Sequence, residues 1–120
     1  MDIETEIQAK GLTAPRVTPA DIEANIAREF CFNVGGVYCK SGSPLVENDP
    51  LDLLTICVLV LKNGFTVTGE SACASPENFD YELGAKIARQ NAISKVWPLM
   101  GYALTERLAA SQASDAAAQA

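Results

Sequence analysis

The segment from Leu53 to Lys62 is almost continuously apolar and β-branched, ends on Asn63-Gly64, and is followed by an alternating segment from Phe65 to Ser71. Asn-Gly is the preferred pair for a two-residue type I′ hairpin turn. A two-residue loop fixes the register. It pairs Lys62 with Phe65, Val60 with Val67 and Val58 with Gly69, and, on the other face, Leu61 with Thr66, Leu59 with Thr68 and Cys57 with Glu70. Side chains alternate across a sheet, so register decides which of them meet the core. This register puts Val58, Val60, Phe65 and Val67 on the core face. Leu59 and Leu61 are left needing cover from a helix, another strand or a second subunit.

Helices flank the hairpin. Thr18 can cap, Pro19 suits a first helical position and Asp21 favours the N-terminus. With Ile22, Ile26 and Phe30 at four-residue spacing, the pattern predicts a helix from about 18 to 29. Phe30–Val34 and Val37–Cys39 read as short strands around a Gly35-Gly36 turn, and residues 40–52 as a surface loop. Ser75-Pro76, with Asp80 as a rival start, opens a helix over about 76–97. Its apolar stripe holds Phe79, Leu83, Ile87, Ser94 and Trp97, with Asn91 on the edge. Proline disfavours helical backbone before it, so a second helix is expected from Pro98 to about 110, on Met100, Leu104 and Leu108. The expected architecture is α+β: an N-terminal helix, an antiparallel sheet around the hairpin at 53–71, and two C-terminal helices. Residues 1–17 read as a flexible arm, 18–110 as one domain and 111–120 as a disordered tail.

Composition narrows the chemistry. The chain has 120 residues, a net charge of -6, and only nine Lys and Arg. The acidic balance disfavours broad DNA or RNA binding but leaves room for a local anion pocket. With no histidine, Ser-His-Asp and Cys-His catalysis are excluded within one chain. Cys31, Cys39, Cys57 and Cys73 form no CxxC knuckle, so neither a metal nor another cofactor is expected. No phosphate-binding glycine loop occurs. The acidic N-terminus lacks a signal-peptide core and no apolar run could span a membrane, so a cytoplasmic location is expected. A binding protein is therefore favoured over an enzyme.

Three positions stand out. Asn91, an amide beside an apolar stripe, either bonds a neighbouring loop or reads a base or sugar edge. Arg107 borders the last helix's apolar face, where its planar fork suits phosphate or carboxylate, and the alternative is pairing with an acid such as Glu106. Phe32, next to Gly-Gly, could stack on a ligand base, whereas most aromatics here read as core.

Residues 53–108, with LKNGFTVTGESAC, FD-x-E-x-G-x-KIA-x-x-NA and WPL-x-GY-x-L-x-x-RL, resemble a family of small tailed-phage and prophage proteins. QAKGLTAPRVTPADIEANI resembles that family's N-termini, while Met100 replaces a Glu of its pattern. The family resembles the first type of Thoeris anti-defence proteins. Those are sponges that bind glycocyclic ADP-ribose, in some members cyclic oligonucleotides, without cleaving it, and they assemble as dimers and hexamers. The resemblance implies an antiparallel sheet with C-terminal helices, and signal sequestration in the host cytosol. It assigns ligand contacts to Asn91, Arg107 and an aromatic, Phe30 or Phe32. No phosphate-binding residue of the family matches within 30–52, and Lys62 and Lys40 stand as candidate cations. The competing readings are an adaptor or inhibitor of a host protein, using the Leu59/Leu61 face or the 40–52 loop, and a minor structural phage protein.

Overall fold

The computed structural model describes residues 2–12 and 14–119. Met1 and Thr13 of the expected arm, and Ala120 of the expected tail, lie outside the described residues. The architecture is α+β. In chain order come α1 (Ile3–Ala9), α2 (Pro19–Ala24), β1 (Ile26–Asn33), α3 (Val34–Lys40), β2 (Leu54–Leu61), β3 (Thr66–Ala72) and α4 (Tyr81–Gln119), with 3-10 turns at Pro50–Leu53 and Pro76–Asn78. The strands form an antiparallel sheet in the order β1-β2-β3. One compact unit holds the described residues through Ala24 and from Val96 on; the other is Asn25–Lys95.

In the first unit, Asp2 caps α1 by accepting from the Thr5 N–H at 2.7 Å. Arg16 donates to both Glu4 carboxylate oxygens, at 2.6 and 3.0 Å, and ties the segment after α1 back onto it. The Arg16 guanidinium holds the Glu4 carboxyl below its usual range and is itself raised. At α2 the Thr18 hydroxyl accepts from the Asp21 N–H (3.1 Å) and the Asp21 carboxylate accepts from the Thr18 N–H (2.9 Å), a reciprocal cap. The helix expected over 18–29 ends at Ala24, and residues from Ile26 on form β1 instead. The four-residue spacing of Ile22, Ile26 and Phe30 coincided with a strand whose partner, β2, supplies its hydrogen bonds. Residues 111–119 continue α4.

In the second unit the hairpin is real but its register is one residue off the expected one. Its pairs are Val60–Thr66, Leu59–Val67, Val58–Thr68 and Cys57–Gly69. The loop is Lys62-Asn63-Gly64: Leu61 N–H donates to Phe65 C=O and Gly64 N–H to Leu61 C=O, both at 2.9 Å. Gly64 alone in this loop has positive φ, 90°, and the Asn63 side-chain Oδ1 accepts from the Phe65 N–H. That is the three-residue turn ending in a left-handed glycine, not the type I′ turn, which needs positive φ at Asn63 as well. The slip exchanges the faces of β2, while Val67 keeps its expected place in the core. Thr55, Cys57, Leu59, Leu61, Val67 and Gly69 are buried, while Val58 and Val60 are half-exposed and Phe65 is exposed.

The Gly35-Gly36 turn is likewise replaced. Asn33 accepts from Gly36 N–H at 2.9 Å and caps α3, and its NH2 group donates to the Asp52 and Leu54 carbonyls. Gly35 is buried where a Cβ would strike Asp52. Residues 41–49 remain a loop, as expected.

Helix α4 begins at Tyr81, not near 76, because Asp80 provides the cap by accepting from Leu83 N–H. Ser75-Pro76 starts only a 3-10 turn. Instead of two C-terminal helices there is one, with Pro98 inside it. Proline costs an interior helix one hydrogen bond but does not forbid continuation. The expected core stripe is also displaced. Leu83 is 55% exposed and Ile87 40%, whereas Ala88 and Ala92 are fully buried. Small residues face the sheet because Gly69 lets the α4 backbone in: a Cβ there would collide with the Ala88 carbonyl and the Ala92 N–H.

Candidate functional site

Helix α4 is fastened to the helix-side face of the sheet at its edges. The Tyr81 hydroxyl donates to the Cys31 carbonyl at 3.0 Å and Arg89 pairs with Glu29 at 2.6 Å, both on β1. The Asn91 NH2 group donates to the Glu70 carbonyl on β3 at 2.8 Å, and Lys95 lies 3.9 Å from the Glu70 carboxylate. Cys31 and Cys57 face each other across β1 and β2 on this side. Burial, then the neighbouring Cys31 thiol, pushes the Cys57 thiol up to about 12, so it stays protonated and non-nucleophilic at neutral pH. The face is committed to structure.

Within the second unit the other face is the more exposed one. Its rows, read across the strands, are Arg28-Val60-Thr66, Phe30-Val58-Thr68 and Phe32-Ile56-Glu70. Phe30 is 65% exposed, and its ring packs on that of Phe32 with centroids 5.6 Å apart and planes 28° from parallel. Arg28, Glu29, Phe30, Val58 and Val60 line an open groove of about 370 Å³. A flat ring platform with a guanidinium one row away is suited to stacking a base while holding a phosphate. A second cavity, about 240 Å³, lies between the β2 and β3 ends and the start of α4, and its lining contains Asp80 but no Lys or Arg. That makes it unfit for an anion.

The residues singled out from sequence are distributed as follows. Phe30 and Phe32 share the open face. Lys62 sits exposed in the turn beyond the Arg28 row, its own N–H bound to the Asn25 carbonyl. Lys40 is the exposed last residue of α3. Asn91 lies on the helix side, with its amide engaged by β3, so it does not join the aromatic pair within the chain. Arg107 is exposed on α4 in the first unit. Arg28, Val58 and Val60 were missed, because a two-residue turn puts Val58 and Val60 in the core and a helix over 18–29 hides the alternation of Arg28, Phe30 and Phe32. The glycine at the third loop position was the signal that could have found them.

Among the described residues no helix is long and apolar enough to cross a membrane. No curated protein and no solved structure matches the chain. Residues 17–108 match the model of the Phage protein (N4 Gp49/phage Sf6 gene 66) family. That match takes in the whole segment 53–108 and residues 17–26 of the N-terminal one, and the chain belongs to this family.

Proposed function

We propose that this phage-family protein is a non-enzymatic anti-defence sponge, one that captures a cyclic nucleotide immune signal of the glycocyclic ADP-ribose or cyclic-oligonucleotide kind in the host cytosol. The observation that carries the reading is the stacked Phe30–Phe32 pair, left open to solvent in the row beside Arg28. Base–aromatic stacking contributes about 1–3 kcal/mol per base. A guanidinium adds a bidentate phosphate contact that lysine cannot reproduce. Lys62 supplies further positive charge at the same end of the sheet. Asn91 keeps its carbonyl oxygen for a ligand donor, and Arg107 would contribute through assembly of copies into the dimers or hexamers the resemblance implies.

Sequestration differs from catalysis in what comes back. Protein incubated with glycocyclic ADP-ribose, desalted and heated should release it with unchanged mass. A cleaved product, or no retained nucleotide across a panel of cyclic di- and trinucleotides, would reject the proposal. A host-protein adaptor is the second reading, favoured by Leu45 (79% exposed) and Val46 (54%) in the loop before β2. It predicts a protein partner lost on Leu45→Asp, with no nucleotide bound.

A further inference from the structure

The cavity beside the start of α4 has features that the open-face reading does not use. Its lining includes the polar Thr55, Ser71, Asn78 and Asp80 and the apolar Leu53, Phe79, Leu83 and Ile87. Thr55 is fully buried, and its hydroxyl has no hydrogen-bond partner. A buried polar group without a partner is uncommon and calls for an explanation. Gly84 also lines the cavity and lies close over that hydroxyl: a Cβ there would stand 3.1 Å from Thr55 Oγ1 and 4.0 Å from Ser71 Oγ. Leu83 and Ile87, each beside the opening, are left 55% and 40% exposed. So the Ser71 hydroxyl and two partly exposed apolar side chains share one space, with the unpaired Thr55 hydroxyl buried beneath it.

Charge limits what can enter. The lining holds one carboxylate, Asp80, and no cation. Phosphates and carboxylates are repelled, while neutral and cationic groups are not. The volume, about 240 Å³, fits a compact ring.

We infer that this cavity is a second, separate binding site, which takes a small planar aromatic carrying an N–H donor, uncharged or cationic. The ring packs between Leu83, Ile87 and Phe79. Its N–H is directed to the Ser71 hydroxyl oxygen, or to Asp80 when the donor is cationic. The site does not depend on nucleotide binding at the open face.

The test uses indole, benzamidine and benzoate as uncharged, cationic and anionic probes, followed by the methyl signals of Leu83, Ile87 and Thr55 in heteronuclear NMR. Indole and benzamidine should shift those methyls in a saturable way and leave Val58 and Val60 unmoved, and benzoate should leave all of them unmoved. Gly84→Ala, which suits a helix and fills the space, should weaken indole at least about tenfold. Ser71→Ala should weaken indole too while leaving the helix sequence intact. Unmoved Leu83 and Ile87 methyls with both ring donors would overturn the inference. So would benzoate binding as well as benzamidine, or unchanged indole affinity in both variants. Phe30→Ala should leave indole binding as it was, which separates failure here from failure of the nucleotide reading.

Discussion

The two faces of the sheet are built from similar residues and end in different states. On the helix side, Leu59 is fully buried and Gly69 touches the α4 backbone; on the open side, Phe30 is 65% exposed and stacks on Phe32. Hydrophobicity alone does not separate them. The difference comes from a glycine and two alanines, which let a helix lie against one side at backbone distance. Apolar surface that nothing covers contributes little to folding, and it is where binding is to be sought. Stability rests on one face of the sheet, and the proposed recognition lies on the other.

The largest expected effect strikes the covered face. Gly69→Val forces a side chain into the α4 backbone and should cost about 3 kcal/mol or more, read as a fall in the urea midpoint. Retained stability would mean that the helix does not lie there. Next, Leu59→Ala should cost about 2–5 kcal/mol by loss of a buried side chain. Phe30→Ala, larger in volume removed, should stay within about 0.5 kcal/mol of the parent. Equal losses at the two sites would erase the contrast between faces. Thr55→Val removes the unpaired buried hydroxyl and should leave stability unchanged or raise it by about 1 kcal/mol, checked by the same denaturation curve.

The smallest effect lies outside the sheet, at Glu4. Arg16 lowers its pKa, so the pairing is complete above the free-chain value of 4.5 and is lost as pH falls through the lower folded value. A carboxyl NMR titration should give a Glu4 midpoint below 4.5, moving back up in Arg16→Ala. The pair is only partly buried and remains in contact with solvent, so its effect on global stability should be slight.

What could be read from the chain beforehand follows the range of the physics involved. The hairpin, the Thr18–Asp21 cap, the loop of residues 41–49 and the α+β class rest on local signals, and the structure has them. Features set by tertiary packing were misread. Asn63-Gly64 suits two turn types that differ by one residue, and the choice between them exchanged the faces of β2. Ile26 and Phe30 fit a helical period, but an unpaired edge of β2 made them a strand. On α4 the large residues drew the apolar stripe, while the packed stripe was the small one, whose signal was Gly69 on another element. Phe30 and Phe32, which the sequence offers as alternatives, share one face of the sheet. Arg28 beside them was hidden by the helix expected over 18–29.

The division of labour is tested most directly by isothermal titration of glycocyclic ADP-ribose into the parent protein and the Phe30→Ala/Phe32→Ala variant, with urea curves run on both. The account predicts saturable binding to the parent, a loss of about ten- to a hundredfold in the variant, and nearly superimposable unfolding curves. Undiminished affinity in the variant, or a variant that unfolds far more readily than its parent, would contradict it.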